Sequence, residues 1–179
     1  METFTPARPL VEHPDFSVQK ELALSSLNIR SLDEPVRDVV TALNDLSFCF
    51  TMQSCYGHFV FGNKEPTNLE PLPLTEVAGS IDYRIAYVAL CVQKSEPAAR
   101  FLEELSRIQQ IDPKYIQYGS ADWFWDRHVN SYVIQVEPER YCQKDTAQIT
   151  YREARHIEKL KRDVFTRIHA LANSCFGSM

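Results

Sequence analysis

The stretch Leu46-Ser47-Phe48-Cys49-Phe50-Thr51-Met52-Gln53-Ser54-Cys55-Tyr56-Gly57-His58-Phe59-Val60-Phe61 decides how this chain is read. It begins apolar, then gathers a thiol, hydroxyls, an amide, an imidazole and a glycine, and turns apolar again. The aromatic and β-branched ends read as strands over 48–51 and 59–61, and Gly57 supplies the bend of a hairpin between them. A polar turn at a strand end is where folds present reactive groups. Gln53, Ser54, Cys55, Gly57 and His58 are therefore candidate ligand-binding residues.

On the N-terminal side, Ser31-Leu32-Asp33-Glu34-Pro35 reads as a capping box with a proline in the first turn. Val36, Val39, Val40 and Leu43 follow at helical spacing, which predicts a helix over about 32–45 with one face inward. Pro6, Pro9 and Pro14 mark residues 1–18 as an irregular N-terminal arm, leaving 19–179 as one domain.

On the C-terminal side, 62–79 carries Pro66, Pro71 and Pro73 with almost no periodicity, and reads as a lid, a binding loop or a mobile connection. Ile85-Ala86-Tyr87-Val88-Ala89-Leu90-Cys91-Val92 is short and nearly all apolar, as a central strand covered on both faces must be. A helix opens at Ser95-Glu96-Pro97, buries Phe101, Leu102, Leu105 and Ile108, and stops before Asp112-Pro113. Residues 115–118, 123–125 and 132–136 read as strands around turns at Gly119-Ser120 and Asn130-Ser131. The last element is a long helix over about 145–175, with a seam at Ile157, Leu160, Val164, Ile168 and Leu171. Arg152, Arg155, Lys159, Lys161, Arg162 and Arg167 are assigned to its solvated face, whose minority reading is a stripe that attracts phosphate.

Composition narrows the function classes. The 179 residues are 44% hydrophobic and 24% charged, the balance of a globular protein with a sizeable core. A net charge of -5 argues against a wide basic face gripping nucleic acid. No apolar run is long enough to span a membrane, and residues 1–6 show no secretory signal. A cytoplasmic location with reduced thiols follows as an expectation. The five cysteines are an odd number without Cys-x-x-Cys spacing, so neither a disulfide nor a structural metal is expected.

Cys55 and His58 stand at Cys-x-x-His spacing, but a zinc site needs three or four ligands and no second pair is near in sequence. A thiol–imidazole nucleophile pair is the second reading, and it lacks an orienting third group. The third makes Cys55 a small buried residue and His58 a polar strand end. The fourth has Gln53, Ser54 and the amides around Gly57 cradling an anion.

A further cluster, Trp123-Phe124-Trp125-Asp126-Arg127-His128, holds both indoles of the chain. Trp125 can stack a base while Asp126, Arg127 and His128 bond its edge, or the aromatics can fill the core. The ligand reading places this cluster at the same pocket as residues 53–58.

The order of these features resembles the wybutosine-synthesis methyltransferase family, which acts on a guanosine-derived base in tRNA. The resemblance is carried by the Asp33-Glu34 helix start, by Phe50-Thr51-Met52-Gln53-Ser54-Cys55-Tyr56-Gly57-His58, and by the closing helix through Ala154, Ile157, Leu171 and Cys175. Ser54, Cys55 and Gly57 match the family's turn, whereas Gln53, Tyr56 and His58 stand where it has a serine, a small residue and an arginine. The resemblance implies an α+β fold: a mixed or antiparallel β-sheet with packed helices and a long C-terminal helix. It implies a cleft near 54–57 for a nucleotide-like small molecule or RNA base, and S-adenosylmethionine as cofactor of a tRNA-base methyltransferase. No Rossmann glycine fingerprint or P-loop accompanies it. The alternative is a non-catalytic ligand-binding or protein-interaction domain that keeps the fold without the chemistry.

Overall fold

The computed structural model of the chain describes residues 4–62, 71–76, 79–141 and 146–176. It is an α+β fold built on two antiparallel sheets. The larger has the order β1-β6-β7-β5-β2, from Phe4–Thr5 (β1), Ile116–Ala121 (β6), Ser131–Val136 (β7), Ala86–Val92 (β5) and Cys49–Cys55 (β2). The smaller has the order β3-β4-β8, from His58–Val60 (β3), Ile81–Arg84 (β4) and Thr146–Ile149 (β8). Helices Phe16–Ser26 (α1), Arg37–Asp45 (α2), Glu96–Arg107 (α3), Asp122–Trp125 (α4) and Tyr151–Phe176 (α5) complete the fold.

The apolar run of β5 has the environment its composition demands. Ala86, Val88, Leu90 and Val92 point into the main core, whereas Ala89 and Cys91 belong to two smaller clusters. Strand side chains alternate between faces, so apolar residues on successive positions mean that both faces of β5 are covered. The main core takes its helical share from α2, α3 and α5 through residues such as Val39, Leu43, Phe101, Leu105, Ile157 and Ile168. Phe16 of α1 packs with Phe50 and Cys91, and Phe124 of α4 with Ala89 and Val133. No helix among the described residues is long and apolar enough to cross a membrane.

Several local expectations change. The hairpin does not form: β2 pairs with β5, while β3 pairs with β4 in the other sheet. The turn between them is a crossing from one sheet to the other. The capping box does not form either. Ser31 Oγ donates to the Asn28 carbonyl at 2.7 Å, single 3-10 turns occupy Ile29–Ser31 and Glu34–Val36, and the α-helix begins at Arg37. The segment 123–125 is helical rather than extended, and Gly119-Ser120 lies inside β6. The helix α1 begins within the expected arm, at Phe16. The expected last helix is divided into β8 and α5. Much of the 62–79 connection (63–70 and 77–78), and Cys142, lie outside the described residues.

Candidate functional site

Two sheet-to-sheet crossings meet at one corner. The chain leaves the large sheet after Cys55 and enters the small one at His58; it returns through Ile85, between β4 and β5. Gly57 sits against that return. Its φ is +81°, and a Cβ there would lie 2.9 Å from both the nitrogen and the Cβ of Ala86. Only glycine combines this left-handed backbone with so close an approach.

The corner brings three groups together. The Asp33 carboxylate, in the turns that precede α2, reaches across 23 residues to accept from the Tyr56 amide at 2.8 Å. The same oxygen lies 3.4 Å from His58 Nε2. The Cys55 thiol completes the group, with one ligand-capable atom from each residue all within 4.8 Å of one another. The Gly57 amide donates to Cys55 Sγ at 3.4 Å. Burial pushes the Cys55 thiol above its ordinary range, the amide opposing this and the Asp33 charge adding to it. A neutral thiol is a poor nucleophile at neutral pH, which weighs against the thiol–imidazole pair as an attacking group. His58 is 7% exposed.

Lys161 lies on the other side of the turn. Its ammonium donates to the Gly57 carbonyl at 2.9 Å and stands 4.5 Å from the Tyr56 ring centre, 4.4 Å from Phe59 and 5.9 Å from Tyr83. The residue is 3% exposed. Burial brings its pKa down to about 8, while Glu158, Cys55 and Asp33 pull it back up. The structure corrects the expectation that Lys161 lies on the solvated face of α5. The signal was legible: Ile157, Lys161, Val164 and Ile168 step by four, three and four, so Lys161 stands in the apolar seam itself.

Beside this corner opens a cavity of about 520 Å³, within the usual range for a small-molecule site. Pro35, Tyr56 and Leu72 give it apolar walls, and Arg155, Lys161 and Arg162 give it positive charge. Gly57 and His58 also line it. Arg155 pairs with Glu158 at 3.1 Å, and Arg162 is exposed.

The remaining expected site residues lie elsewhere. Gln53 lines a second cavity of about 290 Å³ together with Arg127 and His128. His128 Nδ1 bonds Gln19 Oε1, which also bonds His13 Nε2 at 2.8 Å. Burial holds His128 below its ordinary pKa, and the neighbouring His13 and Arg127 add to this. Trp125 joins neither cavity: it meets Tyr132 edge-on at 6.1 Å, under the Arg8 guanidinium at 5.1 Å. Asp126 is exposed at the end of α4 and Ser54 is half-buried on β2, and neither lines either of these cavities. The expectation of one shared pocket thus divides: Gly57 and His58 line the large cavity, Cys55 stands behind them, and Gln53, Arg127 and His128 line the small one. Tertiary packing separates the clusters because Gln53 stays in the large sheet beside Arg127 and His128, whereas past Cys55 the chain crosses to the small sheet and places Gly57 and His58 against α5.

No protein-family model matches this sequence, and no curated protein matches it. The fold is similar to two solved structures of the PH1069 protein from Pyrococcus horikoshii. One has 14% identity and a TM-score of 0.45, covering 92% of this chain and 95% of that one. The other has 14% identity and a TM-score of 0.44, covering 94% and 97%. It is also similar to a hypothetical protein from Aeropyrum pernix at 13% identity and a TM-score of 0.39, covering 80% of this chain and 96% of that one.

Proposed function

We infer that the protein binds a nucleotide-like ligand in the 520 Å³ cavity between the 56–59 turn and α5. The observation that carries this reading is the pairing of apolar walls with guanidinium groups. Tyr56, Pro35 and Leu72 offer flat apolar surface to a base. Arg155 and Arg162 stand on the α5 wall, where a phosphate or carboxylate can pair with them. Glu158 on the same wall is an acceptor for ribose hydroxyls.

In its catalytic form this reading is the one the Ser54-Cys55-x-Gly57 resemblance implies, methylation of an RNA base. S-adenosylmethionine would supply an electrophilic methyl group in the cavity. This chain's own contribution would be to hold the ligand between Tyr56 and the α5 guanidiniums and to shield it from water. In its non-catalytic form the same cavity binds the ligand and nothing follows.

Thermal shift separates these readings from no binding at all, because a ligand that binds the folded state stabilises it by mass action. S-adenosylhomocysteine or AMP should raise the melting temperature of the wild type, and the Arg155→Ala/Arg162→Ala double variant should lose most of that rise. Absence of any rise with nucleosides and nucleotides up to millimolar concentration would sink the reading. Transfer of labelled methyl to tRNA then distinguishes the enzyme from the binding module.

A further inference from the structure

We propose that Asp33, Cys55 and His58 form a three-ligand site for a zinc-like divalent cation, set beside the cavity. Three donors of different kinds converge there. Thiolate, imidazole and carboxylate together are a zinc-type set, whereas magnesium and calcium seek oxygen alone. In the sequence only Cys55 and His58 could be counted; Asp33 arrives through the fold and brings the protein ligands to three, the number of an open site.

The distances fit a tetrahedral centre. With zinc–nitrogen and zinc–oxygen bonds of about 2.0–2.2 Å, neighbouring nitrogen and oxygen ligands lie roughly 3.3 Å apart. His58 Nε2 and the Asp33 oxygen are separated by 3.4 Å. The thiol falls within 4.8 Å of both.

The surroundings already orient the ligands. The Tyr56 amide holds Asp33, and the Gly57 amide points at Cys55 Sγ, as donors outside a metal's ligands do when they steady a carboxylate and a thiolate. Gly57 is itself pinned against Ala86, so the turn carrying Cys55 and His58 is not free to drift. This site stands on its own side chains and does not depend on what the cavity binds.

Cobalt(II) is the probe. Full-length protein is stripped with a chelator and titrated with Co²⁺ and then Zn²⁺. The result expected is one equivalent of Co²⁺ giving intense visible bands of tetrahedral coordination and a thiolate-to-cobalt charge-transfer band, both abolished by Zn²⁺. Cys55→Ser should remove the charge-transfer band, and Asp33→Asn should weaken binding, each with an unchanged circular dichroism spectrum. If a variant fails to fold, X-ray absorption of the zinc-loaded wild type decides: one sulfur near 2.3 Å among nitrogen and oxygen ligands is expected. Absence of tetrahedral bands in the folded wild type, a charge-transfer band that survives Cys55→Ser, or a zinc spectrum without sulfur overturns the site.

Discussion

At the residue scale, the corner rests on two side chains that reach it from distant elements and one that is missing. Gly57 is the missing one. Its positive φ and the 2.9 Å approach to Ala86 predict that Gly57→Ala lowers stability by about 1–3 kcal/mol or more. Urea denaturation checks this, and an unchanged midpoint would contradict the crossing geometry. Lys161 gives a pH-dependent prediction for the metal-free protein. Its folded pKa of about 8 lies below the unfolded 10.5, so between those values the unfolded chain binds more protons. The cost of burying the ammonium is thus fully present below pH 8 and is relieved as pH rises towards 10.5. Relative to Lys161→Met, the wild type should gain about 3 kcal/mol across that window. Comparing the two proteins cancels the titration of the buried tyrosines and cysteines; a flat difference would refute it. Lys161 was legible as a seam residue by its spacing, since helical periodicity is local. Asp33 was not legible as a partner of His58, because they stand 25 positions apart in the chain and are brought together only by tertiary contact.

At the element scale, what could be read is what local chemistry decides. The start of α3 is set by Ser95, whose hydroxyl accepts from the Ala98 amide at 3.3 Å with Pro97 in the first turn. The β5 strand is set by an unbroken apolar run. The β2–β3 turn looked like a hairpin because Gly57 has the chemistry of one. Strand pairing is nonlocal, and β5 and β4 claimed the two arms. The four-residue α4 is too short to show a period, so its aromatics read as strand. That short turn sets different fates for the two indoles. Trp125, partly buried against Tyr132, should act in packing rather than in ligand binding. Trp125→Ala should cost about 1–3 kcal/mol while leaving any nucleotide-induced thermal shift intact. Trp123, 49% exposed beneath Arg127, should tolerate replacement within about 0.5 kcal/mol. Equal losses for both would show that α4 is misplaced.

At the scale of the whole molecule, the α+β architecture and the long closing helix were legible, and the division into two sheets was not. The division matters because it creates the corner. Two of the chain's crossings between the sheets meet there, α5, about 39 Å long, passes it at Lys161, and the 520 Å³ cavity opens between the turn and that helix. The polar residues singled out from Gln53 to His58 divide where the chain leaves the large sheet: Gln53 stays on that sheet, and Cys55, Gly57 and His58 reach the corner. The most direct measurement of the central claim is a nitrogen–proton NMR titration of the full chain with S-adenosylhomocysteine and with AMP. The amides of Tyr56, Gly57 and His58 and those of 155–162 should shift together and saturate at one affinity, while the amides of Gln53, Arg127 and His128 stay in place. Shifts centred on Gln53 and His128, or none at millimolar ligand, would contradict the account.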